Sequence, residues 1–274
     1  MKKVSVIVTC FNKAPYLKDC LNSVLNSTYK NLEIVCFNDD STDDSLKILK
    51  DYENKYEQVK VIDSKTNRGV IYARNYSIDV SSGEYILPLD ADDMIAPTYI
   101  EKAVKVLEEN DSIGVVYSKA LNFNCKRYTP FKLDPFNKVR MLFKNVVFHC
   151  ALFRKSDFIK VGKYNENMYI GDEDYDLWLS FIEHGFDFYR IDEGLFIYRT
   201  ENNTRTSISR KNTNFVKKQL VLNHPDLFFS NSTFVNNAFT IKNLFYKKRF
   251  HLYKLLFIVS SLVNLSLLLL FALF

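Results

Sequence analysis

Acidic residues gather in knots along this chain. "FNDDSTDDS" (37–45), "LDADD" (89–93) and "GDEDYD" (171–176) each crowd several carboxylates into a few positions, and "NRGVIYARN" (67–75) is a basic and polar counterpart. The plainest reading of a lone Asp-Asp is a solvated turn with a helix cap. Several such knots at one sheet edge are another matter, because like charges held together are costly unless a cation is bound or expected. Hard divalent ions such as Mg²⁺ and Mn²⁺ favour oxygen ligands and keep waters and substrate phosphates in their shell. The chemistry these residue types suit is therefore metal-assisted handling of a phosphorylated group.

The knots sit at the ends of short apolar runs. Val4–Cys10, Leu32–Phe37, Val59–Asp63 and Tyr85–Leu89 have the near-continuous hydrophobicity of strands buried on both faces. Helical patterns alternate with them. Leu17, Leu21, Val24 and Leu25 recur at helical spacing after Pro15, which suits a first turn. "STDDSLKIL" offers Ser41 or Thr42 as an N-cap, with Leu46 and Leu49 turned inward. Strand–helix alternation predicts an α/β fold with a mostly parallel sheet flanked by helices. A nucleotide site would lie at the carboxyl ends of its strands. The first turn, "TCFNKAPY", has no glycine, which excludes the dinucleotide fingerprint and the P-loop. A diphosphate bound here must be neutralised another way, and a metal is the obvious candidate. Beyond residue 110 the pattern loosens. "IGVVYS", "VVFHCALF", "FDFYRID" and "LFIYR" read as strands, and "YDLWLSFIEHG" as a helix closed by Gly185.

With 274 residues, 47% of them hydrophobic and 25% charged, the chain is ordinary for a globular protein with ample core. Its net charge of +5 comes without a basic stripe or docking motif, so composition gives no case for a nucleic-acid partner. The five cysteines show no CxxC spacing and read as reduced core thiols of a cytosolic protein. "MKKVSVIVTCFN" is too soon polar for a signal peptide and reads as a strand. From Leu255 to Phe274 there are about 20 residues without charge, enough to cross a bilayer core or to lie in its interface, given the diluting Ser260, Ser261, Asn264 and Ser266. A buried core helix is the other reading. Lys247, Lys248, Arg249 and Lys254 precede the run and would keep the domain on the cytoplasmic side of the membrane.

In order along the chain, "VSVIVTCFNKAPYLKDCLNSVLNSTYKNLEIVCFNDDSTDDS", "NRGVIYARN", "GEYILPLDADD" and "ALFRKSDFIKVGKYNENMYIGDEDYDLWL" together resemble a family 2 glycosyltransferase of the glycosyltransferase-A (GT-A) fold. The likeness covers about residues 3–200. It implies a catalytic domain over 1–215, with a nucleotide half (1–110) and an acceptor half (111–215), then a basic linker (216–250) and a membrane-associating segment (251–274). Where the family has Asp-Asp-Gly-Ser, this chain reads Asn38-Asp39-Asp40-Ser41.

The resemblance assigns roles residue by residue. Asp39 matches the base-recognising aspartate, which accepts the imide N–H of uracil, and Thr9 and Asn12 flank the same base or ribose. Arg74 holds the donor's base or phosphate, unless it is a helix-surface arginine. Asp90 and Asp92 form the D-x-D motif, with Asp92 the direct ligand of Mn²⁺ or Mg²⁺ and Asp90 a ribose or water-mediated partner. Asp93 begins the following turn. Asp174 is the general base that deprotonates the acceptor hydroxyl, and Glu173 orients the acceptor. Trp178 is a sugar platform or core, and His149 faces the acceptor or is structural. Arg199 and Arg205 belong to a segment that closes over the donor diphosphate. The Gln-x-x-Arg-Trp of processive members is absent, so single-sugar addition is expected.

The implied reaction is metal-dependent, inverting transfer of one sugar, a hexosyl or N-acetylhexosaminyl unit, from a nucleotide-sugar, most readily a UDP-sugar. The implied acceptor is a glycan or lipid-linked sugar of a bacterial surface polysaccharide. Two alternatives stand beside it. A phosphohydrolase using Asp-x-Asp would carry that motif after its first strand, whereas here it follows the fourth. A membrane-tethered nucleotide-sugar-binding protein without turnover would have no use for Asp174.

Overall fold

The computed structural model describes residues 1–124, 127–200 and 212–229. Residues 1–227 form one compact unit and 228–274 group as a second. The expected boundary after residue 215 falls inside a helix of the first unit, whose Val216 and Leu220 are buried.

The four apolar runs are strands: β1 (Val4–Cys10), β2 (Leu32–Asp39), β3 (Val59–Ser64) and β4 (Tyr85–Asp90). They pair in parallel in the order β3-β2-β1-β4, with Val4 opposite both Leu32 and Tyr85. Every residue of β2 is buried, as two covered faces require. Helices α1 (Ala14–Leu25), α2 (Ser45–Lys55) and α3 (Gly69–Val80) make the crossovers. In α1, Leu17, Cys20, Leu21 and Val24 share one stripe and pack into the core with Val6, Val8 and Leu87. At the amino edge Gly83 donates its N–H to Ser5 Oγ at 2.8 Å, and a Cβ there would lie 2.5 Å from the Ser5 amide nitrogen, so only glycine fits.

The sheet is largely parallel, as expected, but becomes mixed beyond β4. Beyond β4 the sheet continues through β8 (Leu152–Arg154), β6 (Ile113–Phe123), β9 (Asp187–Arg199) and β5 (Met94–Ile95), with β7 (Tyr128–Pro130) on the edge of β6. β8 is antiparallel to both its neighbours, and β6 pairs β9 in parallel through several bulges. Among the described residues this makes one mixed, nine-stranded sheet.

Helices α4 (Tyr99–Glu109), α5 (Lys155–Lys160), α6 (Glu173–Glu183), α7 (Thr213–Asn223) and the short α8 (Pro225–Phe229) complete the element order. Gly185, at φ +81°, closes α6: its N–H reaches Ile182 O and the next, that of Phe186, reaches Phe181 O. Cys10, Cys20, Cys36 and Cys150 are free and buried, whereas Cys125 lies outside the described residues. Among the described residues no helix is long and apolar enough to cross a membrane, and the 251–274 run lies outside them.

Candidate active site

Register brings the first three polar groups together. Thr9 stands opposite Asp90, and Asp39 ends the neighbouring strand β2. The Thr9 hydroxyl lies 3.5 Å from Asp90 Oδ1. Asp39 is buried and uses both carboxylate oxygens on the start of α3, accepting the Arg68 N–H at 2.7 Å and the Gly69 N–H at 2.8 Å. A carboxylate at a helix N-terminus meets orphan donors and the positive end of the dipole. Asp39 therefore fixes where α3 begins.

The loops after β1 and β2 are stitched to each other. Asn12 takes φ +52° and accepts the Thr42 N–H at 2.8 Å. Ser41 accepts the Asn12 N–H, and Asp43 accepts the Ala14 N–H. Ser41 and Thr42 were expected to cap α2. Because their side chains serve this loop pair, the helix starts later, at Ser45 after Asp44. Asp40, in the place of the family's glycine, has φ +61°. Aspartate tolerates the left-handed region better than most residues, so this turn does not need a glycine.

From the second turn of α3, Arg74 enters the interior. It is 2% exposed and bonds Asp90 Oδ1 at 2.7 Å and Glu173 at 2.8 Å, with the Tyr164 ring 5.5 Å away. Its guanidinium is buried rather than on the helix surface. It joins the end of β4 to the head of α6, two segments with no proximity in sequence.

The head of α6 is built on a constrained turn. Asp172, the residue before the helix, has φ +59°, and Glu173 and Asp174 follow in the first turn. Asn145 donates to Asp174 Oδ2 at 3.1 Å, and the Tyr175 N–H donates to Oδ1 at 2.8 Å. Burial pushes the Asp174 carboxyl up to about 7, helped by the charges of Glu173 and Asp172 and opposed by Arg74. A carboxylate that titrates near neutrality is matched to general-base work. Asn145 carried no sequence signal: it sits in a loop with no motif.

The "LDADD" knot divides its labour differently from expectation. Asp92, assigned as the direct metal ligand, is ion-paired with Lys13 of the β1–α1 loop. Burial and the Asp90 charge raise its pKa, with Lys13 opposing. Asp93, expected only to begin a turn, is buried, and Oδ1 accepts the Arg199 N–H at 2.8 Å. His149, expected to face the acceptor, sits with Nε2 at 3.5 Å from both Asp90 Oδ2 and Asp93 Oδ2. The run "VVFHCALF" forms a strand only from Leu152, and the loop before it carries His149 to these acids.

Burial lowers the His149 pKa, which favours the neutral imidazole, and its buried Nε2 has no hydrogen-bond partner among the described residues. Asp90, Asp93 and His149 offer ligand atoms all within 4.8 Å of one another. Two carboxylates and an orphaned neutral imidazole nitrogen fit a divalent cation such as Mn²⁺.

Two further expectations are corrected. Trp178 is 0% exposed and packs among Phe153, Phe181 and Phe188, so it has no face for a sugar. Arg199 does not lie free over a diphosphate: it is buried between the rings of Tyr16 and Phe123 and donates to Asp92 O and to Asp19, both at 2.9 Å. Arg205 lies outside the described residues.

Parallel strand ends carrying acids, a buried arginine tying them to an acid-headed helix, and a carboxylate–imidazole cluster between them define a class, the GT-A glycosyltransferases. The chain belongs to glycosyl transferase family 2, whose model matches residues 5–162. It is 29% identical over 278 residues to an uncharacterised glycosyltransferase of Methanocaldococcus jannaschii, covering 96% of this chain and 93% of the relative. It is also 30% identical over 209 residues to the putative glycosyltransferase EpsE of Bacillus subtilis, covering 73% and 74%. Among solved structures, TarS of S. aureus in complex with UDP-GlcNAc superposes with a TM-score of 0.62 at 21% identity, over 88% of this chain and 76% of that one. TarS has also been solved with UDP.

Proposed function

We propose that this family 2 enzyme transfers one sugar from a UDP-sugar to a hydroxyl of a glycan or lipid-linked acceptor in surface-polysaccharide synthesis, with inversion at the anomeric carbon. The observation that carries the reading is the Asp90–Arg74–Glu173 bridge, which holds the acidic end of β4 beside the base-bearing turn of α6. The TarS complexes with UDP and UDP-GlcNAc support a uridine donor.

In this reading Asp174 removes the proton from the acceptor hydroxyl while the oxygen attacks the anomeric carbon. The bond from that carbon to the diphosphate oxygen breaks, and UDP leaves on the opposite face. Asp90, Asp93 and His149 would hold Mn²⁺ or Mg²⁺, which when bound supplies electrostatic stabilisation of the leaving diphosphate. Glu173, fixed by Arg74, orients the acceptor. Thr9, Asn12 and Asp39 line the base and ribose side.

Asp174→Asn tests the reading: transfer should fall roughly 10²- to 10⁴-fold, the range for loss of a general base. UDP binding by calorimetry should persist. Unchanged transfer would overturn the assignment. The uncharged 255–274 run supports attachment to the cytoplasmic face of a membrane. Deleting 251–274 should move the protein to the soluble fraction, and continued sedimentation with membranes would refute the attachment.

A further inference from the structure

The outer side of α6 carries a second charged cluster. Asp176 and Glu183 are seven residues apart, two turns along one face of the helix. His224, just past the end of α7, is 3% exposed and lies between them. Its Nδ1 is 2.8 Å from Glu183 Oε2 and its Nε2 3.1 Å from Asp176 Oδ1. Only the imidazolium can donate to two carboxylates at once.

Asn223 extends the cluster: it donates to Asp176 Oδ1 at 2.6 Å and exchanges bonds of 2.9 and 3.1 Å with Asn167, in the 3-10 turn that precedes the α6 head. Asp176 belongs to the first turn of α6, with Glu173 and Asp174, and its N–H donates to Asp172 O at 3.1 Å. Asp176, one arm of the clamp, therefore shares a single helical turn with the base.

We propose that His224, gripped between Asp176 and Glu183, is a positioning residue for Asp174: it ties α7 to the back of α6 and so fixes the turn from which the base projects. The proposal rests on Asp174 acting as the base. Removing the imidazolium would leave the buried Asp176 carboxylate without its counter-charge, a costly arrangement that separation of the helices relieves.

Burial by itself lowers the imidazole's pKa, but its bonds to Asp176 and Glu183 outweigh burial and raise it to about 9. The clamp is therefore closed across the neutral range and opens above about pH 9. The other charged or titratable groups around it line a cavity of about 610 Å³ on the same side: Lys163 and Glu166 from the turn after α5, and His184 at the end of α6.

The test uses the full-length protein and its His224→Gln variant. Hydrogen–deuterium exchange at pH 7 should quicken roughly tenfold or more in 213–223 and also in 172–177. UDP affinity should stay within about twofold, because none of His224, Asp176 and Glu183 belongs to the residues assigned to the donor. Release of UDP from UDP-sugars should lose roughly ten- to a hundredfold in kcat, the cost of a misplaced catalytic group, at unchanged donor KM.

The wild-type protein gives a second measurement that needs no variant. The His224 ring protons should titrate near 9 by NMR, and 172–177 should open over the same pH range. Unchanged exchange in 172–177 while α7 loosens, or a ring titration near 6.5, would overturn the proposal. Absence of turnover by the wild type on every UDP-sugar tried would instead count against the assigned reaction and leave the exchange result intact.

Discussion

The pH dependence of transfer offers the sharpest check on how the base is tuned. Asp174 is pushed from the ordinary carboxylate range to about 7 by burial first and by the neighbouring Glu173 charge second. A base must be deprotonated to act, so kcat should rise with pH along an acid limb with its midpoint near 7 and level off above it. Glu173→Gln removes the second cause and frees Arg74, which bonds Glu173 at 2.8 Å, to act on Asp174. Both changes favour the ionised form, so the limb should move to lower pH, by about one unit for one like charge at contact range. At pH 6 about one-tenth of the wild-type base is ionised, against about half in the variant, so activity relative to each enzyme's own plateau should rise about fivefold. Initial rates of UDP release between pH 5 and 9 at saturating Mn²⁺ would show it. The plateau itself should fall, because Glu173 also orients the acceptor. A limb that stays in place or moves upward would refute the electrostatic account, and an unaltered limb in Asp174→Asn would remove Asp174 from it altogether.

Other outcomes follow from the same geometry. His149→Ala and Asp93→Asn should each weaken Mn²⁺ binding at least tenfold, read by electron paramagnetic resonance with UDP present, since each removes a member of the cluster whose ligand atoms lie within 4.8 Å. Glu33, buried at the amino edge of β2, is held down to about 2, because bonds from Ser5, the Ser82 N–H and Lys60 overcome its burial. Its folded pKa is depressed, so its contribution of about 3 kcal/mol is present above about pH 4.5 and fades as pH falls towards 2. Glu33→Gln should lose about that much in urea denaturation at pH 7, and the difference should close near pH 2. Asp40→Val should cost about 1–2 kcal/mol, because a β-branched residue at φ +61° is strained, while Asp40→Gly should stay within about 1 kcal/mol of wild type by the same assay.

Local pattern carried much of the architecture. The parallel strands begin where the apolar runs begin; β1 also ends with its run, and β2, β3 and β4 extend one or two residues further, since continuous hydrophobicity needs only two covered faces to be realised. The misreadings share a cause. Ser41 and Thr42 look like caps, yet their bonds go to a loop 29 or 30 residues earlier. "VVFHCALF" has strand composition, but β8 keeps only its last residues because the preceding loop turns to deliver His149. "FDFYRID" and "LFIYR" form one long strand, β9, because the stretch between them stays paired with β6 through bulges.

By itself the sequence determined which chemical groups are available and at which strand or helix ends they stand, because buried strands and amphipathic helices write their periods locally. It could not determine who faces whom. Arg74 meets Glu173 across 99 positions and Arg199 meets Asp93 across 106, and neither pairing has a local signature. Whether Asp92 or Asp93 stands beside His149, and whether Trp178 is platform or core, depended on how distant segments filled the interior. A charge or a ring takes its function from the dielectric and the partners around it, and those exist only once the chain has packed.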